Sequence, residues 1–388
     1  MSYANHVQQS LANTIHRPSD STVAAAAAAA ASAPIVFAMV MFGSGSAQEG
    51  QHMVKSILMY SSRAVNIHIL CTTDAMEFLQ RQLDLVTRPA YDARITFYPL
   101  TEAAVVKRAH RAGIDSRHHA GVGGLVKMFM HEVLALARQP RAVYVDTDAV
   151  FAVDPVLLWR DFNRMPANAV VSFPNAGLKS NGAEICTCVM GLNLDAMRNS
   201  SAPLLPSTLL PATQTTALGH SEVWEHAKLN PENPGWGDQG LFWAIWQSYP
   251  DRFGRLSRIW DASFCRVFIG MQLQSVSNLT LEVERKWQDR ARKGDDEDMG
   301  PAGIMWPGII HFNCMGSEES VFETPQVLKS VPYWGPLVTL VSHYQWVWLN
   351  RGEPDSAFNT ATGPRPRLVT HVVQNVRFLD EVLAETPR

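Results

Sequence analysis

From Ile35 onward the chain alternates unbroken apolar runs with stretches whose apolar positions recur at helical spacing. Ile35-Val36-Phe37-Ala38-Met39-Val40-Met41 has no polar position, the pattern of a strand buried on both faces. Gly43-Ser44-Gly45-Ser46 follows and reads as a loop, and Met53, Val54, Ile57 and Leu58 then predict an amphipathic helix. Ile67-His68-Ile69-Leu70 predicts a second strand, ending at Thr72-Thr73-Asp74. A helix over Met76 to Leu85, a strand over Arg94 to Tyr98, and a helix over Lys127 to Leu136 continue the series, the last leading through Pro140 into the strand Ala142-Val143-Tyr144-Val145. Alternating strands and helices predict parallel βαβ units and an α/β fold. Ligands of such sheets bind beyond the carboxyl ends of the strands, where Gly43-Ser44-Gly45 and Asp146-Thr147-Asp148 both fall.

The second half is less regular. Strand-like runs occur at Val170 to Phe173 and Val189 to Leu194. A Pro/Thr-rich stretch from Pro203 to Thr216 precedes the Trp-rich segment Trp236 to Trp246, and an acidic run occupies Asp295 to Asp298. Ile309-Ile310 forms a last apolar strand that ends in His311. Beyond about residue 351 the chain is polar as far as Leu368, after which Val372, Val373, Val376, Leu379 and Val382 can line one helical face.

The 388 residues suffice for one large domain, and a net charge of -3 gives no basic surface for nucleic acid. An anionic ligand would have to be met by a metal or by a few local cations. The window Val23 to Phe42 is long enough to cross a bilayer. However, its alanine tract Ala24 to Ala31 contributes little transfer energy, and Ser32 and Pro34 divide it. Residues 1–33 are expected to be a low-complexity, disordered leader. The five cysteines are odd in number, and Cys186-Thr187-Cys188 is tighter than the usual zinc spacing, so buried free thiols are expected, with one bridge still open.

Three motifs carry chemistry. In a strand, residues i and i+2 face the same side, so Asp146 and Asp148 can aim at one point, where a cation removes their repulsion. The alternative is that they cap a turn or helix. His311 is either structural or a third ligand reaching the same crevice; two carboxylates and an imidazole suit Mn²⁺ better than Mg²⁺. Trp236-Gly237-Asp238-Gln239-Gly240 places an acid and an amide ahead of a helix, where Asp238 serves as an N-cap or as a catalytic group. A rival reading fits Val143 to Val150 to the nucleophile strand of the haloacid-dehalogenase phosphatases, with Gly294 to Asp298 as their late acidic motif. Against it, Arg285 to Lys293 is polar where that family needs a strand, and about a hundred ordered residues precede the aspartates.

The order of these motifs resembles glycosyltransferase family 8, the GT-A fold enzymes that include glycogenin, and among them the glucoside and xyloside xylosyltransferases. The resemblance runs over about residues 35–320 and rests on Met53 to Leu58, the Lys127 helix, Tyr144 to Phe151, Val189-Met190-Gly191-Leu192-Asn193-Leu194, Gly237-Asp238-Gln239, Trp260-Asp261 to Phe268 and Ile310-His311. It implies a GT-A type, Rossmann-like, mostly parallel sheet flanked by helices, one catalytic domain over 34–350, and a tail over 351–388. It also implies retaining, metal-dependent transfer of a hexose or pentose from a UDP-sugar to a hydroxyl of a glycan, glycoside or protein. Asp146, Asp148 and His311 would hold Mn²⁺, and Asp238 and Gln239 would stand beside the anomeric carbon. Val40, Met41 and Phe42, with the loop behind them, would hold the uridine largely through backbone. Lys127, Thr147 and Asn313 would complete the donor site. Two positions depart from the family. Cys186-Thr187-Cys188 stands where Asn-Ser-Gly is usual, and Asn313-Cys314-Met315 follows His311 where a Lys or Arg is common, with Lys329 a candidate substitute. These departures motivate a second reading, a degenerate member that binds nucleotide sugar or glycan without turnover. The family places such enzymes in the secretory lumen, which the triplets Asn199-Ser200-Ser201 and Asn278-Leu279-Thr280 permit.

Overall fold

The computed structural model describes residues 33–112, 114, 121–166, 168–174, 185–198, 237–263, 307–312, 335–353 and 365–385, and the chain from Ile35 to Arg388 forms one compact unit. Its strands are β1 (Ile35–Met41), β2 (Val65–Cys71), β3 (Ala93–Pro99), β4 (Ala142–Val145), β5 (Ala149–Phe151), β6 (Val171–Phe173), β7 (Val189–Leu192), β8 (Phe253–Arg255), β9 (Ala262–Ser263), β10 (Ile309–His311) and β11 (Leu368–Val372). The helices are α1 (Gly43–Tyr60), α2 (Thr73–Leu83), α3 (Glu102–Arg111), α4 (Gly121–Val133), α5 (Val156–Asn163), α6 (Leu194–Arg198), α7 (Asp238–Ser248), α8 (Gly335–His343) and α9 (Leu379–Glu385).

Eight strands form one sheet in the order β11-β3-β2-β1-β4-β7-β6-β8, and β5, β10 and β9 form a second, small sheet. The pairs β11–β3, β3–β2, β2–β1, β1–β4 and β6–β8 are parallel, while β7 runs antiparallel to both β4 and β6. This is the mostly parallel α/β architecture that the alternating apolar runs and helical stretches imply. All seven residues of β1 are buried, because both faces of the strand are covered. Ile35, Phe37, Met39 and Met41 point into one core layer with residues of α1 and α2, while Val36, Ala38 and Val40 point into the other with α3, α4 and α7. Each large apolar side chain buried this way contributes about 1.5–3 kcal/mol.

The apolar window at Val23 to Phe42 is therefore no continuous helix: from Ile35 it is a strand hydrogen-bonded to β2 and β4. No helix among the described residues is long and apolar enough to cross a membrane. Gly43-Ser44-Gly45-Ser46, expected as a loop, is the first turn of α1. Gly43 has φ +83°, which lets the chain turn straight from strand into helix, and its N–H donates to the Thr72 hydroxyl at the neighbouring strand end, 2.8 Å away. The segment after Leu368 is also different from its sequence reading. Leu368–Val372 is a strand on the open edge of β3, and helix resumes only at Leu379. Val369, Thr370 and Val372 are β-branched, and an unpaired parallel edge outcompetes their helical periodicity. Phe378 then enters the core, edge-to-face with Phe129.

Among the buried histidines of the described residues are His52 and His68. Burial, and then Lys55 and His343, lower the pKa of His52 to about 3; burial, and then Arg94, lower that of His68 to about 4. Both stay neutral when folded but bind protons when unfolded, so stability is lost as pH falls from 6.5 towards 4. A single histidine accounts for roughly 3 kcal/mol at most across that window. Urea midpoints measured from pH 7.5 to 4.5 should fall accordingly, and His68→Gln should make the slope shallower; an unchanged slope would remove His68 from the account.

Candidate functional site

The site lies where the two sheets meet. β4 belongs to the large sheet and β5 to the small one, and Asp146-Thr147-Asp148 is the turn between them. The aspartates converge through this turn, not through strand alternation. Its two ends are pinned by backbone: Asp146 N–H donates to the Cys188 carbonyl at 2.8 Å, and Phe312 N–H donates to the Asp148 carbonyl at 2.8 Å. The antiparallel β5–β10 pairing, with His311 opposite Ala149, brings His311 alongside the turn. Ligand atoms of Asp146, Asp148 and His311 thus lie within 4.8 Å of one another. The middle residue, Thr147, is half-buried, and its methyl group is only 3.0 Å from the position a Cβ would take on Gly50 of α1.

Beside the turn stands a lysine shared by two acids. Lys127 of α4 places Nζ 2.9 Å and 3.1 Å from the two carboxylate oxygens of Asp146 and 3.1 Å from Asp238 Oδ2. It also donates to the Thr187 carbonyl at 3.4 Å. Burial alone would drive the ammonium pKa down; Asp146 and Asp238 overcome that and hold it well above the ordinary lysine range. Tyr144 OH donates to Asp146, and Thr187 Oγ1 donates to Asp238 Oδ2 at 2.6 Å. Asp238 is not a helix cap. Gly237 occupies the cap position with φ +59°, a conformation that favours glycine, and the buried Asp238 carboxylate turns to Lys127 and Thr187.

On the far side, His311 offers a nitrogen to each of two neighbours. Nε2 is 3.5 Å from Asp148 Oδ1, and Nδ1 is 3.1 Å from Asp261 Oδ1. Burial opposes protonation of the ring, but Asp148, Cys186 and the hydrogen bonds to both acids raise its pKa well above the usual histidine value. Glu49 of α1 adds a further carboxyl group: burial first, then Asp148 and Asp146, push its pKa up to about 7.

The structure thus brings together Asp146, Asp148, His311, Lys127 and Asp238, residues far apart in sequence, with the half-buried Gln239 following Asp238 on α7. Val40 and Met41 end β1, as the apolar run places them, with their backbone paired with Leu70 and Cys71, and Phe42 is the single residue between strand and helix. Asn313, Cys314, Met315, Lys329, the acidic run 295–298 and both glycosylation triplets lie outside the described residues. Sequence reasoning missed Thr187, Tyr144 and Glu49 as site groups. Tyr144 was legible, since it is i−2 from Asp146, but Glu49 falls between the expected loop Gly43–Ser46 and the helical pattern that begins at Met53.

Cys186-Thr187-Cys188 lies at this same junction. Cys186 Sγ is 2.6 Å from Cys188 Sγ and 3.7 Å from His311 Nδ1, and Cys188 Sγ is 3.4 Å from Asp261 Oδ1. The sequence reading of two buried thiols without zinc spacing considered the pair alone. The fold supplies two more ligand-type side chains from elsewhere in the chain.

Lys127 balances two carboxylates that have little water, so Lys127→Met should destabilise the fold by about 3 kcal/mol. Divalent cation should then raise the melting temperature of the variant more than that of the parent, because the ion supplies the missing charge. Thermal melts with and without MnCl₂ read both effects; a variant as stable as the parent would show that the lysine compensates nothing.

No family model matches the chain. Among curated proteins it is 28% identical over 134 residues to the xylosyl- and glucuronyltransferase LARGE2 of Rattus norvegicus, and 28% identical over 125 residues to that of Homo sapiens. These matches take in 34% and 32% of this chain but 18% and 16% of the relatives, so the chain aligns with less than a fifth of their length. Among solved structures it is similar to mouse xyloside xylosyltransferase 1, with a TM-score of 0.49 and 16% identity, over 72% of this chain and 98% of that one. It is similar also to the galactosyltransferase LgtC in complex with donor and acceptor sugar analogues, with a TM-score of 0.48 and 11% identity, over 82% and 98%. The relatives that the chain resembles in sequence and in fold are alike named as glycosyltransferases.

Proposed function

We propose that the chain is a metal-dependent glycosyltransferase that moves a hexosyl or pentosyl group from a UDP-sugar to an acceptor hydroxyl with retention of configuration. The observation that carries this reading is the convergence of Asp146, Asp148 and His311 ligand atoms within 4.8 Å at the sheet junction, next to Lys127 and Asp238. Two carboxylates and one imidazole fit a divalent ion that keeps open positions for phosphate oxygens, and the nitrogen ligand favours Mn²⁺. When bound, such an ion is a Lewis acid for the departing nucleoside diphosphate.

The chain's own residues set the geometry. The turn from Asp146 to Asp148 is fixed at both ends by backbone hydrogen bonds, so the two carboxylates are oriented before any ligand arrives. Lys127 and Thr187 hold Asp238 from two directions, which orients a carboxylate for the sugar side of the donor, either as nucleophile or as a neighbour to developing positive charge. Gln239 follows it on the same helix as a contact for sugar hydroxyls. The relatives' names include xylosyl, glucuronyl and galactosyl transfer, and the pentose or hexose range of the proposal follows them. A lumenal location is part of the same proposal and rests on the family resemblance.

UDP should raise the melting temperature only when Mn²⁺ is present, and slow hydrolysis of one among UDP-glucose, UDP-galactose and UDP-xylose should release UDP. Asp148→Ala should remove both effects. Mn²⁺-dependent UDP binding that persists in this variant would sink the metal assignment, whereas binding without any hydrolysis in the parent would point to a nucleotide-sugar binder.

A further inference from the structure

Four side chains with metal-binding chemistry meet behind His311, on the side away from Asp148. Cys186 and Cys188 precede β7, Asp261 precedes β9, and His311 closes β10. Their ligand atoms all lie within 4.8 Å of one another, and all but the half-buried Cys186 are buried. A tetrahedral zinc ion with sulfur, nitrogen and oxygen ligands has ligand-to-ligand edges of roughly 3.3–3.8 Å, from its bond lengths of about 2.0–2.3 Å. The edges present are 3.7 Å from Cys186 Sγ to His311 Nδ1, 3.1 Å from His311 Nδ1 to Asp261 Oδ1, and 3.4 Å from Asp261 Oδ1 to Cys188 Sγ. To reach that range the thiol pair, at 2.6 Å, has to open by about 1 Å and the His311–Asp261 edge by a few tenths of an ångström.

We propose that Cys186, Cys188, Asp261 and His311 form a second, sulfur-containing site for a soft divalent cation such as Zn²⁺, and that it shares His311 with the aspartate site so that the two are filled alternately. The sharing follows from the ring. His311 directs Nδ1 to Asp261 and Cys186 and Nε2 to Asp148. A neutral imidazole has one proton and one lone pair. An ion taken by Nε2 leaves the proton on Nδ1, where Asp261 accepts it, the usual arrangement of a carboxylate behind a metal-bound histidine. An ion taken by Nδ1 leaves the proton on Nε2, which then points at Asp148 and withholds the third ligand from the aspartate site. Filling the thiol site releases the thiol protons and fixes both cysteines as thiolates. Ligand softness separates the occupants: the sulfur pair selects zinc-like ions, while the carboxylate pair accepts manganese. The sulfur site stands on its own geometry; its antagonism toward Mn²⁺ rests on the metal reading proposed above.

Cobalt reports the first part. The full-length chain, reduced with a phosphine, should take up one equivalent of Co²⁺ with a thiolate-to-cobalt charge-transfer band and the visible transitions of a tetrahedral ion, and Zn²⁺ should bleach both. Cys186→Ser, at the less buried position, and Cys188→Ser should each weaken the band, and the double variant should lose it, with folding followed by circular dichroism. Asp148→Asn should keep it. No band in the reduced parent, or a band that survives the double variant, overturns the site. For the second part, Zn²⁺ should lower Mn²⁺-dependent stabilisation by UDP in the parent, and each cysteine variant should lose that sensitivity relative to its own zinc-free baseline. Equal sensitivity in parent and variants overturns the antagonism. A cobalt band in a parent that shows no Mn²⁺-dependent UDP binding would refute the aspartate reading and the antagonism with it, and leave the sulfur site standing.

Discussion

Negative charge gathered at a seam between two sheets has to be answered by something positive, and the local structure is organised around that requirement. Asp146, Asp148, Glu49 and Asp238 approach one another because the β4–β5 turn, the N-terminal part of α1 and the start of α7 meet there. Within the chain, the answer comes from Lys127 on one side and on the other from His311, whose pKa Asp148, Cys186 and Asp261 raise against the opposing effect of burial. Each cation is held by a separate element, α4 and β10. The aspartate turn is therefore clamped electrostatically as well as by its two backbone hydrogen bonds. A divalent ion of the kind proposed above would enter a place already compensated and would have to displace or share these protein cations, so its affinity would depend on groups that never touch it.

Much of the fold was legible because buried parallel strands announce themselves. Ile35–Met41 and Ala142–Val145 are unbroken hydrophobic runs, Ile67–Leu70 is broken only by His68, and each is a strand where the pattern places it. Periodicity fails where a glycine overrides composition. Gly43 allows α1 to start within a Gly/Ser segment that reads as loop, and Glu49 becomes invisible as a site residue for that reason. It fails again at Leu368–Val372, where the vacancy on the edge of β3 decides between strand and helix, a fact absent from the local sequence. Within the site, Asp146, Asp148 and Asp238 could be picked out from spacing and context. The partners that orient them, Thr187 and the Lys127 ion pairs, depend on contacts between residues separated by 51 and more positions or on the packing of α4 beneath β4.

The cysteines show the same limit from the other side. A two-residue spacing says how the thiols stand relative to each other but nothing about what faces them. Asp261 and His311 are 73 and 125 positions from the nearer contacts they make with Cys188 and Cys186, and only the meeting of β7, β9 and β10 assembles the group. Spacing rules for metal sites work where one hairpin or one helix supplies the ligands; here the two sheets supply them jointly.

The strand Leu368–Val372 has a consequence for the order in which the protein is made. Its partner β3 lies about 270 residues earlier, from Ala93 to Pro99, so a ribosome releases β1, β2 and β3 long before the strand that covers their edge exists. During that interval β3 presents a row of unpaired amides and carbonyls beside apolar faces, the arrangement most prone to pairing with a neighbouring chain. Nascent chains are thus exposed to edge-to-edge association until Leu368–Val372 has been made, and a chain cut short before Leu368 keeps that edge. Phe378, buried edge-to-face against Phe129 just after the strand, anchors the segment that follows β11 to the core.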